Sequence, residues 1–368
     1  MLHLSERCCP SSDLMSFRIL TCLLSFLVVG TTSIFGARLP KGVKAAYFVN
    51  DNPPYPESHA STIVEVGKGH LVAAWFGGTK ERAPDVGIWV AHFENNRWSE
   101  AVEVADGRQS NGPRMPTWNP VLFNPPGGRL VLFYKVGPSP SEWWGMMRTS
   151  DDGGRNWSEA RALPEGILGP IKNKPVLLED GTWLCGSSTE GTPEGWRVHF
   201  EISHDRGETW EKTAPVGKGP GLDAIQPSIL FHADGRLEAL CRTRQGTVAM
   251  TWSSDRGRTW SALAATELPN PNSGTDAVTL KDGRQLIVYN HSGHRPDEPG
   301  KGDRWPLDVA ISSDGLSWKR VVTLESEPRI SGYSYPAVIQ ASDGLVHITY
   351  TWGRKKIKHV ILKPSSLR

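Results

Sequence analysis

The chain has 368 residues, a net charge of +2 and a charged fraction of 22%, with its basic residues dispersed rather than clustered; that distribution excludes nucleic acid as the expected partner. Hydrophobic residues make up only 38%, while 38 glycines, 28 prolines and 15 tryptophans point to short strands joined by tight turns. Beyond the first forty residues no stretch carries sustained helical periodicity, so an all-β class is expected.

In chain order the first element is a leader over residues 1–37. Within "MSFRILTCLLSFLVVGTTSIFGA" (15–37) an arginine precedes the apolar run "ILTCLLSFLVVG", and small and polar residues follow. That is the layout of a secretory signal, and the run is too short for a comfortable membrane span. A secreted or periplasmic location is expected, with no membrane role beyond the signal. Cys8, Cys9 and Cys22 lie in the leader, whereas Cys185 and Cys241 fall in apolar strand-like runs and read as buried thiols. There is no CxxC pair, the "HSGH" pair lacks a third ligand, and no metal or other cofactor is implied.

From residue 38 onward two signals alternate. One is a tight turn between apolar runs, as in "PPGGRLVLFY", "HADGRLEALCR" and "LKDGRQLIVYN", with key glycines at 69, 128, 181, 235, 283 and 344. The other is a Ser-x-Asp-x-Gly-x-x-Trp box: "SDDGGRNW" (150–157), "SHDRGETW" (203–210), "SSDRGRTW" (253–260) and the shortened "SSDGLSW" (312–318). Gly128 precedes Trp157 by 29 residues and Gly181 precedes Trp210 by 29; Gly69 stands 29 before Trp98, which ends the degenerate "FENNRW". Each unit therefore reads as strand a, turn, strand b, loop, strand c, box, strand d. Six such units make a six-bladed β-propeller of four-stranded antiparallel blades over residues 38–368. The sixth unit lacks strand d, and "GVKAAYFVN" (42–50) is expected to supply it and close the ring.

Strand alternation puts every box on one face of the disc, with the loops joining strands b and c on the other. The boxes carry turn-forming side chains and read as structural. Polar residues gather opposite: His59, Trp118, Asn119, Lys172, Asn173, Lys174, Gln226, Asp276, Tyr333 and Tyr335 at the starts of the innermost strands. The b–c loops add Glu81, Arg82, Asp85, Glu190, Glu194, Arg242, Arg244, Arg304 and Arg354. A setting so rich in arginine suits an acidic sugar.

Asp boxes at this spacing on six blades resemble the sialidases (neuraminidases) and their BNR-repeat relatives, across essentially the whole chain after the leader. The resemblance implies an exo-glycosidase that clamps the sugar carboxylate with three arginines, uses an aspartate as acid/base, and attacks with a tyrosine activated by a glutamate. "ERAPDVGIWVAH" is similar to the acid/base loop and nominates Asp85. "CRTRQG" and "DRWPLDVAISSDG" nominate Arg242 or Arg244, and Arg304, as clamp residues. "GYSYPAVIQASDG" resembles the nucleophile segment, where the Tyr-Ser pair favours Tyr333 and the distance to the turn favours Tyr335. His59 stands where the family has its first arginine, and Gln226 where it has the glutamate; Arg82, Trp118 and Asn119 complete the expected sugar contacts. These two departures leave open a hydrolase for a different acidic sugar, a lyase using His59 and a tyrosine, or a non-catalytic glycan-binding propeller.

Overall fold

The computed structural model describes residues 39–192 and 195–368. The leader, with Cys8, Cys9 and Cys22, and the loop carboxylate Glu194 lie outside the described residues. The remainder is a six-bladed propeller of antiparallel sheets. The second blade is representative, running outward through Thr117–Phe123, Leu130–Val136, Trp144–Ser150 and Arg161–Ala162. In the sixth blade Val43–Phe48 pairs antiparallel with Lys356–Leu362, so the segment at 42–50 does close the ring. The third blade departs from the regular pattern: its innermost strand is only Val176–Leu177, because the preceding residues 172–174 turn inward to other blades.

Each blade is sandwiched between two neighbours, so both of its faces are buried. That is why "TWNPVLF" and "LVLFYKV" are apolar nearly throughout rather than alternating, and why every residue in both strands is buried. The hydrophobic core accordingly divides into seams. Val72, Ala74 and Val90 of the first blade meet Leu122, Leu132 and Tyr134 of the second; Leu286, Val288 and Val309 of the fifth meet Val338, Ile348 and Tyr350 of the sixth. Burial of one such side chain contributes on the order of 1.5–3 kcal/mol.

The boxes fasten these seams. In the third blade Ser203 Oγ donates to Asp205 Oδ1 (2.9 Å) and accepts from the Gly207 amide (2.7 Å), while Asp205 accepts from the amides of Glu208 and Thr209 and from the Thr209 hydroxyl. Those donors, the Thr209 hydroxyl foremost, hold the Asp205 carboxyl down at about 2. The Trp210 indole donates to Gly207 O and its ring meets Phe133 of the second blade edge-on. Trp260 likewise stacks on Phe200 of the third blade, 3.8 Å apart and nearly parallel. Both carboxylate oxygens of Asp205 are thus engaged by the turn itself.

At the opposite end of the strands, roughly 20 Å away for a seven-residue strand, four of the six innermost strands share one irregularity. Ala60, Asn119, Gln226 and Tyr335 all have left-handed backbone (φ 55, 35, 59 and 52°). Each sits at a skip in register with the neighbouring strand. A bulge of this kind turns the strand end and re-aims its side chains.

Candidate functional site

The bulged strand ends that carry His59 and Gln226, the strand Leu237–Thr243 that carries Arg242, the loop of Arg304 and the inward-turned segment at 172–174 meet around Tyr335. The Tyr335 hydroxyl accepts from Arg242 Nη1 at 2.8 Å and from Gln226 Nε2 at 3.5 Å. Arg242 is fixed in turn by Asn272 Oδ1 (2.8 Å) and by Gln226 Oε1 (3.4 Å). The His59 ring lies 4.4 Å from the Tyr335 ring, with its Nδ1 3.0 Å from Thr351 Oγ1. Below them the channel is plugged: Lys172 Nζ donates to the carbonyls of Thr275 (2.8 Å) and Pro336, and Asn173 donates to Gln226 O. Lys174 pairs with buried Asp276 (3.0 Å), which also accepts from Ser228 Oγ and the Val338 amide. Lys174, Asn173 and Asp276 are thus ties across the ring.

The cluster is strongly cationic. Arg304 lies 5.8 Å from the Tyr335 ring centre and Lys172 6.0 Å from it. Burial, and then the charge of Arg242, draws the Arg304 guanidinium down to about 10, and burial draws the Lys172 ammonium down to about 7. Among the described residues the Arg304 side chain makes no hydrogen bond or ion pair. Burial, joined by Arg354, Arg304, Arg242 and Lys172, pushes His59 well below the usual imidazole range, so it is neutral at neutral pH. A half-buried guanidinium without a counter-ion, beside three further cations, is a ready receptor for an oxyanion.

Arg354 is the member that sequence reading placed on this face without giving it a role. It pairs with Glu81 and approaches Glu57 (3.9 Å), and its carbonyl accepts from the Ser58 amide. Its charge is the strongest of those acting on His59. The only signal was "TWGRKK", an arginine on a b–c loop whose ion-pair partner lies 273 positions away.

Asp85 occupies the exposed rim loop, and its Oδ2 accepts from the Thr79 amide (2.8 Å) and hydroxyl (2.7 Å). Burial acts to raise its pKa, but the two Thr79 donors outweigh that and hold the carboxyl below the ordinary range. Among the described residues no hydrogen bond joins it to the Tyr335 cluster. A second rim carboxyl, Glu190, is half-buried near Arg242, Arg244, Glu81 and Arg82, and burial moves it in the opposite direction, upward.

The other nominated residues divide. Arg244 is exposed with its guanidinium 3.9 Å above the Trp196 ring, and Arg82 is exposed on the Asp85 loop. Tyr333 is corrected by the structure: it is buried in the seam between blades five and six, and its hydroxyl donates to Glu327 O at 3.0 Å, away from the cluster. Trp118 is corrected likewise. It is 2% exposed, donates to Gly137 O and meets Trp143 edge-on, so it walls the second blade and presents no face to a sugar. Asn119 is buried and its amide donates to Ile171 O.

Comparison with known proteins agrees with this architecture. A family model described as "BNR repeat-like domain" matches residues 69–348. The anhydrosialidase of Macrobdella decora is 24% identical over 237 residues, covering 57% of this chain and 30% of that protein. The sialidase of Micromonospora viridifaciens is 26% identical over 196 residues, covering 50% of this chain and 28% of that protein. This chain therefore spans less than a third of the length of either relative. Among solved structures a Hadza microbial sialidase superposes with a TM-score of 0.72 at 17% identity, over 88% of this chain and 69% of that one.

Proposed function

Because the chain belongs to the BNR repeat-like family and sets a tyrosine beside a guanidinium in a well of four cations, we propose that it is a sialidase-type exo-glycosidase releasing a terminal acidic sugar. The observation that carries the reading is the 2.8 Å contact from Arg242 to the Tyr335 hydroxyl, with unpaired Arg304 above the same ring. The sugar carboxylate would seat on Arg304, Arg242 and Arg354. A phenol is a suitable nucleophile there, since a carboxylate would repel the substrate's own charge, and Arg242 stabilises the phenolate as it forms. Gln226 is an amide and takes no proton, and burial beside four cations makes His59 a weak base, so in this scheme the phenol's proton passes to solvent water as the bond to the sugar forms. Asp85 is the proposed acid/base: a sugar covering the rim would strip water from its carboxyl and raise its pKa. Export through the leader at 1–37 belongs to the same proposal, and the glycan is the expected partner.

Tyr335→Phe should lower turnover by about 10³-fold or more, the scale at which a covalent step is lost, with an unchanged melting temperature. Retained turnover in that variant sinks the reading. Release of sialic acid and of uronic acids from synthetic glycosides is the assay. A non-catalytic glycan-binding propeller is the second reading, favoured by Gln226 and by the Thr79 bonds that tie Asp85 down. It predicts saturable binding with no sugar released, whereas a lyase would leave an unsaturated uronate absorbing in the near ultraviolet.

A further inference from the structure

Beside the Tyr335 well, between the long loop of the fifth blade and the turn entering the sixth, lies a cavity of about 590 Å³. Arg295, Arg304, Arg329 and Arg354 line it, with Trp305 and a single carboxylate, Asp303. The ion pairs leave this charge unbalanced. Arg295 is neutralised by Asp303 (2.6 Å) and Glu298 (2.7 Å), and Arg354 by Glu81. Arg304 has no partner among the described residues. Arg329 lies flat on Trp352, 3.5 Å from the ring centre, beside the Tyr333 phenol. No carboxylate pairs with Arg329 among the described residues, and its buried Nε–H has no acceptor. With Arg304 committed to the carboxylate of the sugar to be released, Arg329 is the guanidinium left facing this cavity without an anion, and an oxyanion beside it gives that charge a partner. Since Arg304 both lines the cavity and overlies Tyr335, the cavity adjoins the well that would hold the sugar to be released.

We infer that this cavity is a second anion subsite, taking a carboxylate or sulfate on the sugar next to the one released, so that the preferred substrate is a polyanionic glycan. The inference rests on the acidic-sugar reading above and extends it. Calorimetric titration of the full chain carrying Tyr335→Phe, which blocks turnover, tests it with four ligands: sialic acid, sialyl-galactose, disialic acid and a sulfated sialyl-galactose. Binding of one or both charged-neighbour ligands about ten-fold tighter than sialyl-galactose is expected, the scale of one charge-assisted contact; which of the two gains identifies the oxyanion. Adding Arg329→Gln should erase that gain while leaving sialyl-galactose within about two-fold. Arg295→Gln, on a half-exposed side chain where folding is not at stake, should weaken it too by leaving Asp303 uncompensated in the cavity. Equal affinity for charged and neutral neighbours, or a gain that survives Arg329→Gln, overturns the subsite. Failure of sialic acid itself to bind would instead count against the acidic-sugar reading. In that event inorganic sulfate becomes the probe, and sulfate binding unaltered by Arg329→Gln overturns the subsite.

Discussion

Burial of Lys172 among backbone carbonyls leaves its ammonium titrating at about 7, down from 10.5, so the well sheds one of its four positive charges as pH rises through neutrality. The affinity of an acidic monosaccharide should therefore fall between pH 6 and 8, and in Lys172→Met that step should vanish. Direct titration by calorimetry decides it, and an identical pH profile in the variant excludes Lys172 as the cause. The same depressed pKa carries a stability sign: the unfolded chain holds the proton up to 10.5, so the fold gains stability as pH climbs from about 7 toward that value. Neighbouring residues show what the sequence leaves hidden at this scale. Tyr333 and Tyr335 are two apart on one strand and by simple alternation face the same way. The left-handed backbone at Tyr335 and the register skip between Ser334 and Ala337 break that parity, sending Tyr333 into the seam and Tyr335 to the well. A bulge of this kind leaves no mark in the hydrophobic pattern.

At the scale of elements the Asp boxes were legible in the letters alone. Their offset from the hairpin glycines, 29 residues in three of the units, located the blades, and the turn residues located the left-handed backbone: Gly181, Gly235, Gly283 and Gly344 all lie at φ between 82 and 86°. The role of a box as a fastener between blades predicts a separation of stability from function. Trp260→Ala, which removes the stack on Phe200, should cost roughly 2–3 kcal/mol, below the range for fully buried aromatics because Trp260 is only half-buried. Ligand affinity of the folded protein should be unchanged, because the box lies at the far end of its strand from Tyr335. Chemical denaturation and calorimetry on one preparation measure both, and an affinity loss matching the stability loss would show that the two faces are coupled. Arg354 marks the limit of such reading. Its partner Glu81 lies across the ring closure, and no local pattern announces a contact at that separation.

At the scale of the molecule the seam between the sixth blade and the first carries a titratable pair. His347 Nδ1 lies 3.0 Å from His359 Nε2, the rings stack 5.2 Å apart, and the His359 ring packs against Tyr47, Phe93 and Trp98. Burial pushes both imidazoles down, His359 well below the usual range, with His347 adding to its shift. The unfolded chain takes up protons at about 6.5 while the folded seam resists them. Stability is therefore full above that pH and is lost as pH falls from there toward the folded values. Melting temperature should drop between pH 7 and 5 in the native protein, and less steeply in His359→Asn even though that variant melts lower at pH 7. Parallel slopes would mean that the acid sensitivity lies elsewhere.

Closure of the ring by Val43–Phe48 against Lys356–Leu362 also fixes an order of events on the ribosome. The first described strand has no partner until the last one has been made, and it must wait while five complete blades emerge. Tyr335 and Arg354 belong to that final blade, and Arg304 enters only with the one before it. A nascent chain thus carries Lys172 and Arg242 long before it carries the phenol between them, and the binding well comes into being in the same step that makes the disc a closed ring.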